Sequence, residues 1–355
     1  MIWWDRQLNV LHGCTRVSAE CANCWAICEA RRWSTSPKLL DAVRRRWAGT
    51  LNVDRSDWSG RLTFDRETLL SPLRRRQPTT YFVNAVSDTF HEAVLWTWLD
   101  ELFAVMALCQ QHTFILCTKR TNVCAGYVMS RYPLGIRVDE APQWYQVVTR
   151  WLDEGAGGTI GKPQYDRLYD NICKVDIERP LPNVYLGYTA GLQVTFNARW
   201  SDMASLAALG WKVWLSAEPL LGPMDLTDAI HDLPTDGAKG RLCGVIAGGE
   251  SGPKARPVHP HWARELRDQC QAYGVPFAWK QWGTWRPWRP GTHFLCECGY
   301  LDLLNDDRLA KHHDGDGCTR ATMPVARFRH EPIRELLDSK LHFGLPWTLH
   351  GKGAK

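Results

Sequence analysis

Cys14-Thr-Arg-Val-Ser-Ala-Glu-Cys21-Ala-Asn-Cys24 places three thiols within eleven residues. As thiolates they can converge on one inorganic centre, the short Cys21–Cys24 spacing supplying two ligands from a single turn. A tetrahedral zinc site takes four ligands and would draw its fourth from Cys28, four residues beyond Cys24. A [4Fe–4S] cluster normally takes four thiolates as well, and one held by three leaves an iron open for a small molecule. Gly13, and a position just after a candidate first strand, favour that open arrangement. Structural zinc and unligated thiols stay open as readings of the spacing.

A second group consists of His293, Cys296-Glu-Cys298, His312-His313 and Cys318. Cys296, Cys298, His313 and Cys318 have the ligand types of a small Zn2+ site, although Cys-x-Cys is tighter than the usual zinc knuckle. A plain loop or an accessory cluster is the alternative. Cys109, Cys117, Cys124, Cys173, Cys243 and Cys270 lie singly or in apolar runs and read as small core residues.

The elements that must position these groups show in the apolar runs. Leu8–Leu11, Tyr81–Val86, Thr113–Cys117, Val184–Thr189, Lys212–Leu215, Gly244–Ala247 and Val275–Trp279 are short and nearly continuous, as in parallel strands buried on both faces. Helix-like stretches Glu92–Gln110, Thr195–Leu209 and His261–Tyr273 lie between them. This alternation predicts an α/β chain, a full or partial (β/α) barrel of about seven strands. Cys14, Ser87-Asp88, Lys119-Arg120, Glu218, Glu250 and Lys280-Gln281 fall at successive strand ends, where such barrels build their active sites. Two interruptions, a helical one at about 124–182 and a Cys/His-rich one at about 285–330, read as insertions in a single domain over residues 1–355.

The composition sets limits. The 355 residues are 45% hydrophobic and 23% charged, which excludes a disordered or fibrous chain. No apolar run is long enough to cross a membrane. The opening Met1–Arg6 lacks a signal peptide's apolar stretch, and thirteen cysteines in a large chain argue against a secreted disulfide scaffold, so the expectation is a cytoplasmic protein. Residues 1–80 carry fourteen Lys and Arg against eight Asp and Glu, a net +6, and the other 275 carry a net −1. That excess lies in Arg31-Arg32, Arg44-Arg45-Arg46 and Arg74-Arg75-Arg76, with Trp33, Trp47 and Trp58 among them. It is either a solvated helix face or a surface for nucleic acid or nucleotides.

The chain resembles the phage- and bacterium-encoded radical-SAM-like proteins with a three-Cys motif, known mainly as a domain of unknown function. The resemblance spans about residues 1–283. It is carried by Leu8-Asn-Val-Leu-His-Gly-Cys14 with Cys21-Ala-Asn-Cys24, by Phe82–Glu92, and by Cys117-Thr-Lys-Arg120. Ser216-Ala-Glu-Pro-Leu-Leu-Gly222, Gly248-Gly-Glu-Ser-Gly-Pro253, Ala255-Arg-Pro257 and Phe277-Ala-Trp-Lys-Gln-Trp-Gly283 complete it. It implies a radical-SAM-type barrel with a [4Fe–4S] cluster on Cys14, Cys21 and Cys24. The Cys-x6-Cys-x2-Cys spacing departs from the commoner Cys-x3-Cys-x2-Cys. Relatives also carry a carboxylate after the strand that here reads Leu186-Gly-Tyr-Thr-Ala190 and is followed by Gly191.

The implied activity is reductive cleavage of S-adenosylmethionine (SAM) and hydrogen abstraction from a substrate, leading to rearrangement or modification. A nucleobase, nucleotide or phage DNA is the expected substrate, and a flavodoxin or ferredoxin the expected electron donor. Glu218, Glu250 and Ser251 would bind the SAM ammonium or ribose, with Gly248 and Gly249 allowing close backbone approach. Lys119, Arg120 and Lys280 would meet a carboxylate or phosphate, while Asp88 and His91 orient substrate or move a proton. The plain reading of each is a strand-end ion pair or cap. Two other classes remain: an iron–sulfur or zinc nucleic-acid-binding module without SAM chemistry, and a hydrolase or lyase using Glu218 or Glu250 as base.

Overall fold

Strands that are apolar on both faces bury both, and the apolar runs do so in one parallel sheet. The computed structural model describes residues 3–52, 54, 56–131, 143–156, 166, 180–231, 241–287, 293–296, 301–303, 322–327, 337 and 345. Strand β1 (Arg6–Leu8) comes first, followed by four two-residue strands. Of these, β2 (Leu11–His12) pairs antiparallel with β5 (Thr63–Phe64), and β3 (Leu51–Asn52) with β4 (Asp57–Trp58). Then come β6 (Thr80–Val83), β7 (Thr113–Thr118), β8 (Val184–Thr189), β9 (Lys212–Ala217), β10 (Gly244–Ala247) and β11 (Phe277–Trp279). The sheet order is β1-β6-β7-β8-β9-β10-β11 with every neighbour parallel. It runs from β1 to β11 without closing, so the barrel is partial and all seven strands end at one edge.

Period-two alternation divides the side chains between the faces. Phe114, Leu116, Val184, Leu186, Val213, Leu215, Val245 and Ala247 belong to the main core. Ile115, Tyr185, Trp214 and Ile246 pack on the other face with Trp3. Trp3 meets Trp214 edge-on at 5.5 Å between ring centroids. Tryptophans Trp3 and Trp214 thus help to fill the second face of the sheet.

The first strand differs from the expected Leu8–Leu11. Only Arg6–Leu8 joins β6, because the chain is then drawn aside by Asn84. Its Oδ1 accepts from both Val10 N and Leu11 N at 2.9 Å, with Asn84 itself held at φ 51°. Leu11–His12 therefore pairs with β5 and delivers Gly13 and Cys14 to the sheet's C-terminal edge. Gly13 has φ 97°, and a Cβ there would lie 2.1 Å from the Arg61 carbonyl oxygen, so only glycine fits ahead of Cys14.

Helices α1 (Trp25–Thr35) and α2 (Asp41–Trp47) follow the cysteine segment, while α3 (Trp96–Leu108) and α4 (Thr121–Ser130) flank β7. Helix α5 (Gln143–Arg150), running into a wider turn over Trp151–Ala156, lies in the first interruption. Helices α6 (Gln193–Ala208) and α7 (Pro260–Ala272) follow β8 and β10. Helix α7 starts with proline at its first position and His259 Nδ1 accepting from His261 N, a capped N-terminus. Within the first interruption, residues 132–142 and 157–179 lie outside the described residues, apart from Asp166. Beyond β11, strands β12 (Trp285–Pro287), β13 (His293–Cys296), β14 (Leu301–Leu303) and β15 (Thr322–Arg327) form an antiparallel sheet of order β12-β15-β13-β14. Among the described residues, no helix is long and apolar enough to cross a membrane.

Candidate active site

The segment carrying the three cysteines is short, irregular and charged, so something other than its own packing must hold it. Arg16 laces it internally, donating from Nη1 to Cys21 O at 2.6 Å and to Ala22 O, while its Nε pairs with Asp57. Three strand ends then hold it from outside.

After β7, Arg120 donates to Thr15 Oγ1 at 2.6 Å and Thr15 O at 3.1 Å, with Nη1 3.8 Å from Cys14 Sγ. After β8, Gly191 N donates at 2.9 Å to the buried Glu20 carboxylate, which Thr195 Oγ1 also joins at 2.5 Å. After β10, Glu250 accepts from Asn23 Nδ2 at 2.9 Å, and Arg256 bridges Glu250 to Ala19 O.

Cys14, Cys21 and Cys24 consequently line one cleft of about 550 Å3, open to solvent at its mouth. Ser87 and Asp88 from beyond β6, Cys117, Lys119 and Arg120 from β7 and its end, and Trp25 and Trp58 complete most of its wall. Cys28 is exposed on α1 and is not part of that wall. Cys117, expected in the core, is only partly buried and faces the cleft, its Sγ 3.3 Å from Thr189 Oγ1. Cys109, Cys124 and Cys270 are buried as expected, Cys243 is partly buried, and Cys173 lies outside the described residues.

Asp88 organises one side of the cleft. Its Oδ1 accepts from Thr118 Oγ1 at 2.6 Å and Phe90 N at 3.1 Å, and its Oδ2 from Lys119 N at 3.1 Å and Arg120 Nη1 at 3.0 Å. With four donors satisfied, it positions other groups. His91 Nδ1 accepts from Ala93 N, which leaves the ring proton on Nε2, 2.9 Å from Thr15 Oγ1. Burial, aided by the Arg120 charge, lowers the His91 pKa and keeps the ring neutral.

Burial pushes the Cys14 thiol up to about 12, Asp88 adding to the rise and Arg120 opposing it. Burial raises Cys24 and takes Cys117 up to about 11. For Lys119 burial works downward, but the Cys21, Cys117 and Cys24 thiols with Asp88 outweigh it and hold the ammonium above its ordinary range. Lys119 donates to Thr189 Oγ1 at 3.4 Å and makes no ion pair among the described residues. A cation therefore faces the thiols, ready to compensate their negative charge.

The other expected ligands sit along the same edge but are not part of the cleft wall. Glu218 Oε1 pairs with Lys280 Nζ at 2.8 Å and its Oε2 accepts from Ser216. Gly248 lies against that pair, with the Cβ position 3.2 Å from Glu218 Oε1. Gly249 packs so closely on Trp282 that a Cβ would come within 1.9 Å of its carbonyl oxygen. Glu250 is committed to Arg256 and Asn23, and these bonds overcome the cost of burial to keep its pKa low. Ser251, exposed, accepts from Gln281 Nε2 at 2.9 Å. Of the second cysteine group, Cys296 lies in β13, while Cys298, His313 and Cys318 fall outside the described residues.

Residues with no role assigned from sequence prove central to holding the site: Glu20, Asn23, Thr15 and Arg256. The available signals were the places of Thr15, Glu20 and Asn23 inside the cysteine segment and of Arg256 in the Ala255-Arg-Pro257 motif. A Cβ at 191 would lie 1.9 Å from Pro219 O and 3.3 Å from Glu20 Cγ, so only glycine fits where the backbone meets the Glu20 carboxylate.

Among the described residues no three His, Cys, Asp or Glu side chains converge closely enough to share a single ion. Thiolates on one zinc would lie about 3.8 Å apart, from Zn–S bonds of about 2.3 Å in tetrahedral array. Cys14, Cys21 and Cys24, on the wall of one cleft, are the thiols that could hold such an ion or a larger cluster. Neither a curated protein nor a solved structure matches the chain. A family model does match it over residues 1–346, and the chain belongs to that family, the protein of unknown function DUF5131.

Proposed function

We propose that the chain is a radical-SAM-type enzyme with a [4Fe–4S] cluster on Cys14, Cys21 and Cys24, and that it initiates rearrangement or modification of a nucleobase, nucleotide or DNA substrate. The observation that carries this reading is the gathering of three thiols, faced by Lys119 and Arg120, in one cleft at the C-terminal edge of a parallel half-barrel. Three thiolates leave a fourth iron free for a ligand. When bound, the cluster and SAM together supply reductive cleavage of the sulfonium and, through it, hydrogen-atom abstraction.

The chain's own part is placement and charge. Lys119 and Arg120 would offset the negative charge of the thiolates, and Arg120 ties the hydroxyl and carbonyl of Thr15 to Asp88. His91, neutral, holds Thr15. Glu218 and Lys280 form a matched pair for the ammonium and carboxylate of SAM's methionine end, beside Gly248. Glu250 and Glu20 keep the cysteine segment on the sheet. For the substrate, Trp25 is 52% exposed and lines the cleft with Trp58, and such flat surfaces stack on nucleobases.

The test is anaerobic reconstitution with SAM and a strong reductant, reading 5′-deoxyadenosine. The wild-type chain is expected to form it. Cys14→Ser, Cys21→Ser and Cys24→Ser should abolish it, and Cys28→Ser should retain it. No product from the wild-type chain with nucleotide and DNA substrates present overturns the reading.

A further inference from the structure

The three arginine runs of the N-terminal flank meet different fates. On α1, Arg32 pairs with Glu29 at 3.6 Å. On α2, Arg44 pairs with Asp41, and Arg46 with Asp65 at 2.7 Å and Glu67 at 3.4 Å. Three of these five arginines thus have counter-charges of their own on or beside the helix faces. The third, Arg74-Arg75-Arg76, makes no ion pair among the described residues, and neither does Arg6 of β1.

These four arginines line one open cleft of about 1020 Å3 together with Gln7 and Gln77. The half-buried Arg75 is fixed there, its Nε donating to Thr79 Oγ1 at 2.6 Å and its carbonyl accepting from Gln111. The neighbouring carboxylate, Asp5, is turned to Thr80 N at 2.8 Å. The aromatic ring in the wall, Tyr81, is buried and stacked on Phe114. Guanidinium forks without counter-charges suit phosphates, and among the described residues lining the cleft no exposed ring offers a base a surface to stack on.

We infer that this cleft binds the phosphodiester backbone of a nucleic acid, as an anchor separate from the thiol cleft. Tyr81 lines the anchor and Ser87 the thiol cleft, so six residues of chain separate the two and they lie at most about 20 Å apart. About six base pairs of duplex span that distance. Delivery of a base to the thiol cleft rests on the proposed function, whereas the binding itself does not.

The experiment measures binding of a labelled duplex and a labelled single strand, each of about 20 nucleotides, to the full chain without SAM or reductant. Salt dependence is read between about 50 and 200 mM. Four phosphate contacts predict a slope of log K on log salt of about −3.6, a loss of roughly 150-fold in affinity over that range. Arg74→Ala/Arg75→Ala/Arg76→Ala should cut the slope by about 2.7. Arg31→Ala/Arg32→Ala/Arg44→Ala removes the same charge from helix faces and should leave more than half of the slope intact. Circular dichroism confirms that both variants fold.

Three results overturn the inference: an unchanged slope in the Arg74–Arg76 variant, an equal fall in the helix-face variant, or inorganic triphosphate binding as tightly as the oligonucleotides. Because no SAM is present, failure here leaves the 5′-deoxyadenosine assay to judge the cluster chemistry separately.

Discussion

Replacing Asp88 by asparagine exchanges one carboxylate oxygen for an amide donor at the most heavily bonded point of the cleft. The Oδ1 contacts to Thr118 and Phe90 can persist. An amide in place of Oδ2 faces two donors, Lys119 N and Arg120 Nη1, and satisfies neither. Both residues of the ion pair are almost wholly buried, with side chains 3% and 7% exposed. Removing one partner of a buried pair costs about 3–5 kcal/mol, and the remaining Arg120–Glu92 contact at 2.6 Å places the expected loss near the lower end, about 3 kcal/mol. A loss of that size lowers the melting temperature by about 6 °C, at about 2 °C per kcal/mol for a chain of this length.

Denaturant titration of Asp88→Asn, Arg120→Met and the double variant completes a cycle. The expected coupling is at least about 2 kcal/mol. In the metal-free protein, Cys14 should become more reactive toward a thiol reagent at alkaline pH, since Asp88 helps to raise its pKa. A loss below about 1 kcal/mol, or a coupling near zero, would refute the view that Asp88 holds Arg120 over Cys14.

Other consequences are equally concrete. The hydrogen bonds to Glu20 overcome the cost of burial and hold its carboxyl down at about 2, against an ordinary 4.5. A depressed carboxylate stabilises the fold above the unfolded pKa and loses that contribution as pH falls through the folded one. Wild type should therefore exceed Glu20→Gln by up to roughly 3 kcal/mol at pH 6, the gap closing between pH 4.5 and 2 in urea titrations; parallel curves would count against it. Gly191→Ala forces a Cβ to 1.9 Å from Pro219 O and should lower stability by about 2 kcal/mol or more, whereas Gly126→Ala in α4, with open space around it, should be neutral or stabilising by up to about 1 kcal/mol in calorimetry. Lys119→Met removes a cation facing the thiols and should lower the midpoint potential of the reconstituted centre by tens of millivolts in a redox titration followed by electron paramagnetic resonance; an unchanged potential separates Lys119 from the centre.

Six of the seven parallel strands were legible because burial on both faces writes a continuous apolar run, and Val184–Thr189 is buried throughout. The common edge of the strand ends followed from parallel alternation alone. The first strand was misplaced by a bond that local pattern does not show, Asn84 Oδ1 to Val10 and Leu11 across more than seventy residues. The cysteine segment was legible as a motif but not as an object held in place. Its anchors come from the ends of β7, β8 and β10, and nothing near Glu20 in sequence announces Gly191. Lone acidic residues at strand ends were equally ambiguous. Glu250 is paired with Arg256, six residues on, and Glu218 with Lys280, a partner that only the fold brings near.

The centre itself is the claim to test first, by iron, sulfide and zinc analysis of the anaerobically purified chain beside Cys14→Ser. The account predicts iron and sulfide each near four per chain, with little zinc, and a collapse of both in the variant. One zinc per chain without sulfide, or an iron content unchanged by Cys14→Ser, would contradict it.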